Sequence, residues 1–213
     1  MPFYPDRQLL NYGDLSDTNR LLGASWQHSP FIHDNKSIPA GVSAFSWSEH
    51  AGTINGAQIY MNGHIYRATD VLRSREQTRE VPAYMIGHHI YEQLRLAAHI
   101  YSEYEYNGQL SINMRLRGGT GATTIPPSDN ILAFRANGKL EHPQYAWSKT
   151  TDTHSLLAAG GRAKLHRELL KEICWDIGLG EIHDTTIDKF FEVNGWYPKP
   201  APQQAQTVTA AGQ

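Results

Sequence analysis

Histidine is the first residue type here whose spacing could support chemistry. Eleven occur in the 213-residue chain, and His88, Glu92, Arg95 and His99 follow one another at i, i+4, i+7 and i+11. That spacing is one face of a helix, so His88 and His99 are the candidate metal ligands. With His89 beside them they would form the core of a small metal-dependent hydrolase. Arg95 falls between the candidates, where a cation opposes a metal ion. The competing expectation is a solvated helix face on which Glu92 and Arg95 pair. His183-Asp184 precedes Thr185-Thr186 at the head of a helical stretch, which makes Asp184 or Thr185 an N-cap rather than half of a catalytic pair.

Arginine is the second. Arg73 and Arg75 lie in a charged connector, and Arg115 and Arg117 alternate along a strand-like run that leads into Gly118-Gly119-Thr120-Gly121. The four arginines are candidate contacts for an anion or a nucleic acid, since guanidinium groups fork onto phosphate oxygens. The glycine run follows a strand, as a phosphate loop does. However, Thr123-Thr124-Ile125-Pro126-Pro127 continues it in extended form, so no helix N-terminus is expected to aim amides at a phosphate. Lys164, Arg167 and Lys171 share a helix face near Trp175, but Glu168 and Glu172 dilute them into a mixed-charge surface. Cys174, beside Ile173 on an apolar stripe, reads as a small buried hydrophobe. No G-x-S-x-G elbow, H-E-x-x-H or paired zinc spacing occurs.

Composition narrows the classes. Apolar residues make up 40% and charged residues 19%, enough apolar surface to build a core. The formal net charge is −2, less basic than is usual for a protein held to nucleic acid by phosphate contacts alone. One cysteine rules out an intrachain disulfide and a cysteine-built metal site. No apolar run reaches the roughly 18 residues of a membrane span, and the first residues lack the basic-then-apolar order of a signal peptide. The expected setting is cytoplasmic, with no cofactor and no membrane partner.

The elements that must position these residues follow from periodicity. Residues 1–40, rich in Pro, Asn, Asp and Gly, read as an irregular arm. Its Tyr4, Trp26 and Phe31 are candidate partner contacts. A strand is expected over Val42–Trp47. Asn62-Gly63 between Gln58–Met61 and His64–Arg67 predicts a hairpin with a two-residue type I′ turn, positive in φ at both central residues. Arg73–Glu80 reads as a mobile surface connector. Pro82 opens the longest helix, with Ile86, Ile90, Leu94, Ala97 and Tyr101 on its apolar stripe and Asn107-Gly108 as its stop. Leu110–Arg117 alternates strictly, Leu110, Ile112, Met114 and Leu116 facing in and Arg115 and Arg117 out. A second hairpin is expected about Asn137-Gly138, followed by a short turn over Ser155–Ala159. Gly160-Gly161 should separate this turn from a helix over Arg162–Ile177 that Gly178 caps. A short helix over Thr186–Val193 precedes a disordered tail, 199–213. The fold class is α+β: a mixed or antiparallel sheet of two hairpins and a central strand, with both long helices on one face of a 41–198 domain.

The stretch Gln58–Ile125 carries Ile59-Tyr60-Met61-Asn62-Gly63-His64-Ile65, Val81-Pro82 before a long helix, Tyr101 and Gly108 before a strand, and Leu116-Arg117-Gly118-Gly119-Thr120-Gly121-Ala122. In these it resembles the region downstream of the nucleic-acid-binding domain in bacterial Schlafen/AlbA-type proteins. The resemblance covers about a third of the chain and brings no catalytic residues with it. It implies an accessory role beside a nucleic-acid or defence protein. The expectation is therefore a non-catalytic binding or accessory module for a protein partner or a second copy. The alternatives are a nucleic-acid binder using Arg73, Arg75, Arg115 and Arg117, and the metal-dependent hydrolase.

Overall fold

The structure, a computed structural model, describes residues 35–38, 41–48, 53–60, 62–75, 78–126 and 138–193. The expected partner contacts Tyr4, Trp26 and Phe31, the Asn137 half of the second hairpin and the 199–213 tail lie outside them. The fold is α+β, as the periodicity predicts, but its strands form three small sheets among the described residues rather than one.

The first sheet is a four-stranded antiparallel meander of β1 (Asn35–Ile38), β2 (Gly41–Ser48), β3 (Thr53–Tyr60) and β4 (Ile65–Thr69). The last residues of the expected irregular arm are thus a strand, Asn35 pairing with Ala44 and Ile38 with Gly41. The β3–β4 hairpin forms where Asn-Gly predicts it, with a different turn. Tyr60 N–H donates to the His64 carbonyl at 2.9 Å, and Gly63 N–H to the Tyr60 carbonyl at 2.8 Å. These bonds close a three-residue loop, and of its described residues Gly63 is left-handed (φ 82°) while Asn62 is not. A three-residue turn with a bulging glycine at its end matches the strand twist as well as type I′ does. Asn62 serves instead through its side chain, its Oδ1 accepting His64 N–H at 3.0 Å.

The second sheet joins β5 (Arg73–Arg75), β6 (Thr78–Pro82) and β8 (Thr123–Ile125). The charged connector is therefore an antiparallel hairpin, Arg73 opposite Glu80, and not a loop. β6 and β8 run parallel, so the chain between them must cross over. That crossover contains α1 (Ala83–Glu103) and β7 (Gln109–Arg117). The helix stops earlier than Asn107-Gly108 suggests. Tyr104 caps it, and Glu105 turns left-handed at φ 48°.

β7 pairs antiparallel with β9 (Gln144–Asp152) along its whole length, from Gln109–Asp152 to Arg117–Gln144. The strand assigned to a second hairpin thus completes a ribbon with the strand assigned to the sheet centre. After it come α2 (Thr153–Leu157), α3 (Ala159–Cys174), a π-helical turn over Trp175–Leu179 and α4 (Asp184–Val193). Gly160 and Gly161 do not separate helices but lie in the first turn of α3. A Cβ on Gly161 would drive into the Ser155 carbonyl. Gly178 ends the helical run at φ 82°, as a glycine stop should. Asp184 sits inside the first turn of α4, whose leading carbonyl is His183.

The core lies between the ribbon and the helices. Leu110, Leu156, Leu165 and Leu169 close one end with Leu94 and Ala98 of α1. Trp147, Leu170, Ile173, Ile177, Ile187 and Phe191 fill the other. Each large side chain removed from water here contributes roughly 1.5–3 kcal/mol. Cys174 is fully buried, and burial pushes its thiol up to about 12. No helix is long and apolar enough to cross a membrane among the described residues.

Candidate functional site

The β3–β4 hairpin has two unlike faces because strand side chains alternate. Its inner face is pinned to α1. Ile59 is buried, and the Tyr101 hydroxyl donates to the Gly63 carbonyl at 3.0 Å. Arg67 Nη2 lies 3.2 Å from His89 Nδ1, and Thr69 Oγ1 lies 3.3 Å from His89 Nε2. A guanidinium only donates, so Nδ1 accepts and the imidazole N–H is on Nε2, toward Thr69. Burial, then the Arg67 and His88 charges, hold His89 down at about 3. Burial also brings Arg67 down to about 10 against the pull of Glu92. His89 is thus a neutral structural partner of the hairpin.

The outer face presents Gln58, Tyr60, Asn62, His64 and Tyr66 around a shallow groove of about 370 Å³. Gln58 stands directly opposite Tyr66. The Tyr60 hydroxyl donates to Gln58 Oε1 at 2.7 Å, and the Tyr60 and His64 rings meet edge to face at 5.7 Å. Tyr66 is 50% exposed. Among the described residues that line it there is no carboxylate, lysine or arginine. The Asn62-Gly63 turn makes the hairpin legible in the sequence, whereas its outer face is a matter of side-chain alternation alone. The alternation Gln58-x-Tyr60 and His64-x-Tyr66 was the signal for it.

The sequence-predicted residues scatter. Among the described residues, no three His, Cys, Asp or Glu side chains come together as metal ligands. His88 and His99 share a helix face, but eleven residues at 1.5 Å each place them about 16 Å apart, too far to hold one ion. That face is half-buried rather than solvated. Arg95 and Glu92 do pair on it, at 3.3 Å. Arg73 is turned onto Tyr84, 5.4 Å above its ring. The Arg75 backbone pairs with Thr78, and its side chain lies outside the described set. Arg115 and Arg117 are exposed on the outer face of β7, with Ile112, Met114 and Leu116 on the other, as the alternation predicts. Among the described side chains, then, Arg73 is engaged by Tyr84 while Arg115 and Arg117 share one exposed strand face. The basic face of α3 is balanced by α4 rather than by its own glutamates, Arg167 pairing with Asp188 at 2.7 Å and Lys171 with Asp184 at 2.9 Å, while Glu168 pairs with Lys149 of β9 at 2.9 Å.

No protein-family model, no curated protein and no solved structure matches the chain.

Proposed function

We propose that this chain is a non-catalytic binding module and that the outer face of the β3–β4 hairpin is its contact surface for a protein partner. The observation that carries this reading is the groove of Gln58, Tyr60, Asn62, His64 and Tyr66, whose described lining holds two tyrosines and no acidic, lysine or arginine side chain, on a hairpin whose other face is locked to α1. Interface centres favour tyrosine and disfavour charge, because a rigid amphipathic ring buries much area at little entropic cost. The anchored inner face keeps the groove preformed, which lowers the ordering cost of association. The resemblance of Gln58–Ile125 to the region downstream of the nucleic-acid-binding domain in Schlafen/AlbA-type proteins supports a partner from a nucleic-acid or defence system.

The test is native mass spectrometry and light scattering of the untagged chain from its own host, beside Tyr60→Ala/Tyr66→Ala. The wild-type chain should carry one defined protein, or a second copy, and the double variant should lose it at least tenfold. Retention of the same partner by a folded double variant would remove the hairpin face as the site.

A further inference from the structure

The β7–β9 ribbon presents a second exposed face, chemically opposite to the hairpin groove. Arg115 and Arg117 project from it at i and i+2, roughly 6.8 Å apart along the strand. This is close to the step between neighbouring phosphates on a nucleic-acid strand. Ala146 stands opposite Arg115 and Gln144 opposite Arg117, so a small side chain leaves the first guanidinium unobstructed. Farther along, Ser148 Oγ donates to Asn113 Oδ1 at 3.0 Å, and Asn113 Nδ2 to Ser111 Oγ at 3.3 Å. These bonds hold the Asn113 amide in a fixed orientation. At the Arg117 end, Arg79 of β6 is anchored by Nη2 to the Gly118 carbonyl at 2.8 Å, which adds a third exposed guanidinium beside the first two. The only carboxylate on the two strands is Asp152. It lies at the far end and is engaged by the Ser155 N–H and hydroxyl at 2.7 and 3.1 Å.

From this arrangement we infer that the outer face of the β7–β9 ribbon binds duplex DNA, with Arg79, Arg115 and Arg117 on phosphates and Asn113 and Gln144 toward base edges. Charge complementarity selects the occupant. The chain as a whole is slightly acidic, yet this face carries arginine, amide and hydroxyl groups, the side chains that contact phosphates and base edges. The shape selects it too, because the B-form major groove admits a two-stranded antiparallel ribbon, whereas the deep, narrow major groove of duplex RNA does not. Nine paired residues give the ribbon a length of about 30 Å, enough to follow the groove for most of a helical turn. The inference is independent of the hairpin reading, since the two surfaces share no residue.

The experiment is fluorescence anisotropy of a labelled 20-base-pair DNA duplex with the full chain, titrated from 50 to 300 mM NaCl. Three phosphate contacts predict a log–log salt slope of about −2 to −3. Arg115→Gln/Arg117→Gln should weaken binding at least tenfold at 50 mM and flatten the slope by about 2. Lys164→Gln on α3 and Tyr60→Ala/Tyr66→Ala should leave both quantities unchanged. Both arginines are exposed, so circular dichroism should show an unaltered melt for their variant. No binding at 50 mM, equal binding of duplex RNA or polyglutamate, or affinity unchanged in the arginine variant would each overturn the inference. Loss of DNA binding in the tyrosine variant would overturn it as well, by moving the site to the hairpin.

Discussion

The imidazole of His166 on α3 donates from Nε2 to the carbonyl oxygen of Gly87 on α1 at 2.7 Å. A carbonyl only accepts, so this bond fixes the tautomer. It also fixes how closely the two long helices approach. Phe191 of α4 stands edge-on to the same imidazole at 4.6 Å, and Tyr91 flanks it at 5.4 Å. Three helices therefore meet at one buried ring, and residue 87 has no room for a side chain. A Cβ there would lie 2.7 Å from Phe191 Cζ and 3.1 Å from Leu170 Cδ2.

Gly87→Ala should consequently destabilise the protein, although alanine is the better helix former by about 1 kcal/mol. Phe191 is fully buried and cannot swing away, so overpacking outweighs propensity and leaves a net loss of about 1–2 kcal/mol. Urea unfolding of the variant measures this. A gain in stability would show that α4 can shift without cost.

Acid should weaken the fold before the carboxylates titrate. Burial lowers His166 to about 4 despite the Gly87 hydrogen bond, and burial with Arg67 lowers His89 to about 3. Both are neutral when folded and take up a proton near 6.5 when unfolded. Above that value the two states bind equal numbers of protons and stability is flat. Between about 6 and 4 the unfolded chain binds more, so stability falls with falling pH. Each histidine adds up to about 1.4 kcal/mol per pH unit. Unfolding midpoints measured from pH 7.5 to 4.5 should show the decline, with a shallower slope in His166→Gln. A flat profile over that range would contradict the burial of both rings.

Gly63→Ala should loosen the hairpin. Gly63 is left-handed at φ 82°, and its carbonyl receives the Tyr101 hydroxyl. A Cβ at that φ costs about 1 kcal/mol or more, while Asn62→Ala, which removes a half-exposed acceptor from His64 N–H, should cost less. Hydrogen exchange at Ile59 and Ile65 reports the difference. Equal protection in both variants would indicate that the meander, not the turn, holds the strands in register.

By itself the sequence determined the local structure. Helical stripes over Ile86–Tyr101 and Leu165–Ile177, strict alternation over Leu110–Arg117 and the Asn62-Gly63 punctuation each gave the right element. The reason is that period and turn chemistry are short-range properties of the backbone. Pairing was decided only in three dimensions. Nothing local in Gln144–Asp152 says that it joins β7, or that β6 and β8 run parallel, because those hydrogen bonds link segments tens of residues apart. The charged run Arg73–Glu80 looked like a loop because its composition is polar, and a pairing edge made it a hairpin. The sites divide in the same way. Arg115 and Arg117 were visible as neighbours on one strand face. Arg79 reached them only through the β6–β8 crossover. The burial that neutralises His89 and His166 exists only once α1, α3, α4 and the hairpin have closed on one another, since desolvation is a property of the packed interior and not of the chain.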